Sequence, residues 1–263
     1  MAAHICKIGG LRKHGVNRSS LENLPVVTII TVVYNGEKFL EETIKSVINQ
    51  TYSNIEYIII DGRSNDRTLE IISKYDDHID FWISEEDKGI YDAMNKGLKF
   101  ATGKLIGILN SDDWYMSNTI EKVVDVYLKS DKSSIIHGIL KIWTNTLFFG
   151  VHGRSDLFFP EQFPPHPTCF VPRRVYEMIG NFDIQFRSAA DYDFLIRCKL
   201  GGVGFIFIES VLTNFRSGGC STRRFTSETE KIQHKYGYRT NFSYRMKILF
   251  VFIKNCFMKR NGF

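Results

Sequence analysis

The run Leu105-Ile106-Gly107-Ile108-Leu109 is apolar or glycine throughout, then breaks at once into Asn110-Ser111-Asp112-Asp113. A strand without polar alternation is buried on both faces, as the inner strands of a parallel sheet are. Such a strand needs helices laid over both sides of its sheet. In open sheets of this kind ligands bind just outside the carboxyl ends of the strands. Two neighbouring carboxylates at such an end repel each other, and a hard divalent cation with oxygen ligands offsets that repulsion. A polar loop with an Asx turn accounts for the same four residues. Taken alone, the stretch favours the plain loop; the rest of the chain changes the balance.

Strands and helices alternate through the whole first half. Residues 26–33 form a β-branched run and read as a strand. Tyr34-Asn35-Gly36 turns the chain, and residues 37–49 carry Leu40, Ile44, Val47 and Ile48 at helical spacing. A second strand, 55–60, ends in the polar loop Asp61-Gly62-Arg63-Ser64-Asn65-Asp66-Arg67-Thr68, which caps a helix over 69–75. A short strand follows at 79–84. Helical spacing then runs from Ile90 through Met94, Leu98 and Ala101 until Gly103 stops it. This order predicts an α/β fold with a mostly parallel, doubly wound sheet. Right-handed crossovers bring the strand ends at Asn35, Asp61 and Asp112 to one edge. That edge is a pocket, with Asp61, Asp87, Asp112 and Asp113 as candidates to line it.

The second half is less regular. Residues 118–129 read as a helix, and 134–151 hold strand-like runs with Trp143, Phe148 and Phe149. Residues 158–167 contain four of the six prolines and are expected to cross the open side of the pocket. Short helices are expected at 173–179 and 192–200, with Asp191 at a helix start. A strand at 203–208 precedes a loop at 214–222.

Charge divides the chain of 263 residues further. Residues 1–24 carry four cations against Glu22, and residues 238–263 carry six cations and no acid, so the body between is acidic although the whole is +5. An acidic body argues against a nucleic-acid groove. The basic start reads as a poorly ordered extension. In the tail, Phe242, Met246, Leu249, Phe250, Ile253 and Phe257 fall near one helical face flanked by cations, which suits an anionic membrane surface. Docking on the body or on a second subunit fits the same pattern; the reading leans to the membrane. The five cysteines have no paired spacing, so neither a zinc signature nor a disulfide framework is read from them. No signal peptide and no bilayer-spanning run is read, the tail's 248–253 being too short.

Four motifs carry a resemblance. They are Thr31-Val32-Val33-Tyr34-Asn35, Ile60-Asp61 through Thr68, Asp87-Lys88-Gly89-Ile90-Tyr91-Asp92-Ala93-Met94-Asn95-Lys96-Gly97, and Asn110-Ser111-Asp112-Asp113. In order and at strand ends, they resemble the family 2 glycosyltransferases of the GT-A fold, in particular those of bacterial colanic acid, O-antigen and capsule assembly. The resemblance implies a Rossmann-like, mostly parallel sheet flanked by helices, with a smaller mixed acceptor-side region. It divides the chain into a basic N-terminal extension (1–24), a catalytic domain (25–237) and a basic amphipathic tail (238–263). The domain splits into a nucleotide-binding half (25–115) and an acceptor-side half (116–237).

The resemblance also implies roles. Thr31, Tyr34 and Asn35 belong to the nucleotide-sugar site. Asp61 accepts a hydrogen bond from the donor base, and Asp87 helps hold the nucleoside. Asp112 lies near the donor ribose or sugar, and Asp113, with Asp112, binds Mn²⁺ or Mg²⁺ on the diphosphate. Asp191 is the catalytic base, with Ala190 where relatives carry Glu. Met94 stands in the region where many relatives carry Arg, and Lys88 is a substitute for that phosphate contact. Arg216, in an Arg-x-Gly-Gly-x-Ser loop, is weighed evenly between holding a phosphate and a plain glycine turn.

The chemistry suits these residue types. A divalent cation stabilises the charge growing on a departing nucleoside diphosphate. A carboxylate that takes the acceptor's proton is worth about 10²–10⁴-fold. One base opposite the leaving group gives inversion. The expected function is therefore sugar transfer from a nucleotide donor, UDP-linked by preference, to a hydroxyl of a lipid-linked or glycan acceptor. The expected location is cytoplasmic, peripheral at the inner face of the plasma membrane, with a homo-oligomer possible. Two rivals are a sugar nucleotidyltransferase, which needs a Gly-rich phosphate loop where this chain has Tyr34-Asn35-Gly36-Glu37-Lys38, and an inactive nucleotide-sugar-binding module. Around the site, Asp193 is read as a helix-dipole residue, His166 as a surface residue of the proline-rich turn, and His137 and Trp114 as packing.

Overall fold

β2 (Val27–Val33) is the strand around which the sheet is built: all seven residues of Val-Thr-Ile-Ile-Thr-Val-Val are buried. The computed structural model describes residues 6–19, 21, 24–144, 147–155, 162–218 and 221–238. β2 pairs in parallel with β3 (Ile55–Asp61) on one side and with β5 (Leu105–Asn110) on the other. β4 (Phe81–Ser84) extends the parallel set beyond β3. The chain thus steps outward from β2 to β4, then crosses back to β5. That reversal opens a crevice at the carboxyl ends of β2 and β5.

Alternate residues of β2 supply two cores. Ile30 and Val32 join Ile58, Ile60, Ile106 and Ile108 beneath α3 (Ile90–Phe100), α5 (Arg173–Ile179) and α6 (Ala190–Leu200). Val27, Ile29 and Val33 join Ile59, Leu105 and Leu109 beneath α1 (Leu40–Ile48), α2 (Thr68–Lys74) and α4 (Thr119–Lys129). The result is a three-layer α/β arrangement with a mostly parallel centre. Close approach is built into it at Gly97: a Cβ there would stand 2.4 Å from Ile30 Cγ2, so only glycine lets α3 lie this near β2.

Beyond β5 the sheet turns mixed. β9 (Phe170–Pro172) runs antiparallel to both β5 and β7 (Ile135–Thr144). β10 (Phe205–Ser217) runs parallel to β7 and carries β6 (Trp114–Tyr115) antiparallel on its other edge. β8 (Leu147–His152) folds back on β7, and α7 (Ser221–Lys235) follows β10.

Two expectations change. The basic start is not a loose extension along its described length. β1 (Lys7–Gly9) adds antiparallel to β4, and Arg12 reaches the buried Glu56 and the Phe100 carbonyl. Arg18 pairs with buried Asp80 at 2.7 Å. Buried carboxylates need partners, and the cations that read as a solvated run supply them. The second change is at 214–217, expected as loop, which continues β10 as far as Ser217. The amphipathic tail from residue 239 onward lies outside the described residues, as do Gly219 and Cys220 and residues 158–161 of the proline-rich segment.

Candidate active site

The strand ends after β2 and β3 are laced into one unit. Asn35 takes a left-handed backbone (φ 52°), its N–H donates to Ser64 Oγ at 2.8 Å, and its Oδ1 accepts from Asn65 N–H at 3.0 Å. Gly36 N–H donates to Thr68 Oγ1, and Glu37 exchanges bonds with Asp66 and Arg67. Asp61 is fully buried at the centre. Its carboxylate accepts from the Ser64 hydroxyl and N–H and from Ser84 Oγ at 2.6 Å. Tyr34 lies exposed at the mouth.

Asp87 closes this side. Its Oδ1 accepts from Gly89 N–H at 2.8 Å, and its Oδ2 packs so near Gly62 that a Cβ there would come within 2.4 Å. Burial raises its pKa, with the Asp92 and Asp61 charges adding and Gly89 and Lys96 opposing. Lys88 is exposed next to Asp87, while Met94 is buried in the core and presents no side chain to a phosphate. Thr31 also stays inside the sheet, fully buried, its hydroxyl accepting from Tyr57 at 3.1 Å. It supports β2 two residues below the mouth and does not reach it.

The end of β5 builds the second part. Asp113 is fully buried and turned toward β10, its Oδ1 accepting from the Arg216 N–H at 3.0 Å and its Oδ2 from Asn110 Nδ2 at 3.4 Å. Thr43 donates to its carbonyl at 2.7 Å. Burial, and next the neighbouring Asp112, hold its pKa well above the carboxylate range. Asp112 is less enclosed; burial raises its pKa and the Arg216 charge pulls it down. Asp112, rather than Asp113, is therefore the carboxylate presented to the cleft. Arg216 Nε donates to the Asp112 carbonyl at 3.3 Å, its Nη2 meets Glu42 at 2.7 Å, and its guanidinium lies over the Phe39 and Trp114 rings. A strand position, not a glycine turn, fixes it there.

These oxygens suit a hard cation. Asn110 Oδ1 is buried with no partner, beside two carboxylates that burial makes costly to ionise. Among the described residues no three acidic, His or Cys side chains converge as a closed metal cage. That agrees with the pattern in which one or two carboxylates and substrate phosphates share the ion.

Asp191 completes the set from the other half of the chain. It lies in the first turn of α6, partly exposed, and Tyr91 OH donates to its Oδ1 at 2.7 Å. Tyr91 lies in the first turn of α3, four residues after Asp87, so this bond ties Asp191 to the edge that carries Asp61 and Asp87. His166, read as a surface residue, is buried near Asp191; burial lowers its pKa and the Asp191 charge opposes that. Asp193 is not a dipole residue facing water. It is fully buried and bonded to Arg197, Lys235 and Tyr236.

The start of α6 has no side-chain cap of its own at Ala189. Glu228 of α7 instead braces the backbone that leads into the helix, accepting from Arg187 N–H at 3.0 Å and from Ser188 N–H at 2.8 Å and Oγ at 2.9 Å. Burial alone would raise its pKa; these donors and the Ala189 N–H outweigh that and lower it. Sequence reasoning passed over Tyr91, Ser64, Ser84 and Glu228. Tyr91 and Ser64 lie inside two of the four motifs, while Ser84 and Glu228 gave no signal of their own.

The fold and this edge define an α/β transferase of the GT-A class. The chain belongs to glycosyl transferase family 2, whose description matches residues 28–194. An uncharacterized glycosyltransferase of Haemophilus influenzae is 29% identical over 259 residues, covering 89% of this chain and 78% of its own. A PGL/p-HBAD biosynthesis glycosyltransferase of Mycobacterium bovis is 30% identical over 179 residues, 66% of this chain and 70% of its own. Among solved structures, Staphylococcus aureus TarS 1-349 with UDP superposes with a TM-score of 0.62 at 18% identity, covering 78% of this chain and 63% of that one. The mannosyltransferase PcManGT of Pyrobaculum calidifontis with GDP-Man and Mn²⁺ gives 0.58 at 19%, covering 78% and 61%. At those identities the likeness is one of fold.

Proposed function

We propose that the chain is an inverting, metal-dependent hexosyltransferase that moves a sugar from a nucleotide donor, UDP-linked by preference, to a hydroxyl of a lipid-linked or glycan acceptor in surface glycan assembly. We place it at the cytoplasmic membrane face. The observation that carries this reading is the Tyr91–Asp191 bond, which sets a carboxylate from the second half of the chain against the donor edge of the first. UDP and GDP-Man in fold neighbours support a nucleotide-sugar donor, and the Mn²⁺ beside GDP-Man supports a divalent ion.

In this reading the laced loops at 34–37 and 61–68 hold the nucleoside, with Asp61 fixing their shape and Asp87 closing over them. Asp112, with Asn110 beside it, would hold the cation, which would supply positive charge to the departing diphosphate, while Asp113 braces them from the β10 side. Arg216, pinned by Glu42 and two rings, adds charge at the same end. Asp191 keeps one carboxylate oxygen on Tyr91 and turns the other to the acceptor, from whose hydroxyl it takes the proton. A single base with no second carboxylate poised as nucleophile gives inversion.

An inactive nucleotide-sugar-binding module is the second reading, kept by Ala190 and Met94. Asp191→Asn separates the two. With Mn²⁺ and a panel of UDP- and GDP-sugars, the parent should turn over donor and the variant should lose about 10²–10⁴-fold while binding donor equally. Chelation should abolish the parent's signal. Equal turnover in parent and variant removes Asp191 as base; no turnover of any donor by the parent favours the module.

A further inference from the structure

The β7–β8 hairpin stands out from the sheet with its apolar side chains in water. Leu147, Phe148, Phe149 and Val151 are exposed at 73, 55, 75 and 60%. β8 pairs with β7 alone among the described strands, so its outer edge is open. The register sets Lys141 opposite Val151 and Trp143 opposite Phe148, with an irregularity between Ile142 and Trp143 that leaves Phe149 without a cross-strand partner. Lys141 Nζ lies 4.5 Å from the Trp143 ring and 5.3 Å from that of Phe148. A contiguous apolar patch with charge at its rim marks an interaction surface.

Charge selects the partner. The sequence holds no carboxylate between Asp131 and Asp156, while Lys141 lies on the first strand of the hairpin and Arg154 just after the second. Two copies meeting strand to strand would bring like charges together. An anionic bilayer accepts both parts: lipid phosphates meet the cations, and the interfacial layer takes Trp and Phe. The hairpin also adjoins the cleft. Trp143 lies 6.0 Å from Trp114, whose ring carries the Arg216 guanidinium at 4.7 Å, and Arg216 N–H is bonded to Asp113.

We infer that the β7–β8 hairpin docks on the anionic surface of a lipid bilayer and so sets the mouth of the cleft at the headgroup layer. This rests on the reading that the chain works at a membrane face, and it names the surface that does so.

The test is co-sedimentation of the full chain with vesicles of phosphatidylglycerol and phosphatidylcholine, against phosphatidylcholine alone. The parent should bind the anionic vesicles preferentially. Phe148→Ser with Phe149→Ser should lower that partition about tenfold or more at an unchanged unfolding curve. Lys141→Gln, which leaves the aromatic residues in place, should lower it about fivefold. If the parent binds and both variants match it, the contact lies elsewhere on the chain and the inference falls while the membrane reading stands. If the parent binds neither vesicle, both fall. A parent that is dimeric without vesicles, and becomes monomeric in the double variant, makes the patch an interface between copies and overturns the inference.

Discussion

Tyr91 OH donates a 2.7 Å hydrogen bond to Asp191 Oδ1, joining the first turn of α3 to the first turn of α6 across a separation of 100 residues. Tyr91 is 7% exposed and packs on Phe182, so the phenol is held from behind and has little freedom to leave. Replacing Tyr91 by Phe keeps that packing and removes only the bond. The expected effect is a fall in kcat of about tenfold, the size of one charged hydrogen bond, with donor KM unchanged. Steady-state kinetics in donor and acceptor check it; a raised donor KM at full kcat would contradict it.

Gly62→Ala tests the other wall. The added methyl meets Asp87 Oδ2, which must move. Gly62 does not need a left-handed backbone, so stability should change by less than about 1 kcal/mol. Donor KM should rise by roughly five- to tenfold, the worth of one or so hydrogen bonds. Calorimetric titration with UDP reads the same loss without turnover.

Asp193→Ala should behave differently from any change at Asp191. It leaves Arg197 and Lys235 facing a buried vacancy and frees the Tyr236 hydroxyl. Both cations retain some solvent, which tempers the cost; a loss of about 3 kcal/mol in denaturant unfolding is expected. Activity should fall with it, and stabilising osmolytes should recover part of it, which they should not do for Asp191→Asn.

His137 gives the fold an acid sensitivity. It is 1% exposed between Phe205 and Phe207, its Nδ1 has no partner, and burial pushes its pKa down to about 4 from 6.5. The folded value is the lower, so the unfolded chain takes the proton first. Stability is therefore full above pH 6.5 and falls as pH drops toward 4, by up to roughly 3 kcal/mol. His137→Phe should flatten that slope in urea unfolding curves taken across the window.

The parallel half of the fold was legible because its signals are local. β5 is apolar or glycine up to Asn110, β2 and β3 are dominated by Val and Ile, and α1 and α3 show one apolar stripe each. What went unread depends on distance. Glu56 and Asp80 become buried only when the sheet closes, and only then do Arg12 and Arg18 have a reason to leave water. Residues 214–217 look like a turn because polar Asn214 and Arg216 sit where a lone strand would be apolar. In the sheet, the Asn214 amide meets Trp114 and Trp143, and Arg216 meets Asp113. Of the site, the carboxylates could be picked out by type and position at strand ends. Which of them face the cleft could not: Asp112 and Asp113 are neighbours in sequence, and only the pairing of β6 with β10 turns one inward.

The brace that Glu228 places on the residues before α6 has a consequence for how relatives are compared. The stretch shared with the family ends at residue 194, before α7 begins. The group that steadies the backbone leading into Asp191 therefore lies beyond the common core. Two homologues could match at every motif and still differ in how firmly that carboxylate is held, because the difference would be written downstream of all of them. A swap of α7 between such homologues would be expected to alter turnover without altering which donor is bound.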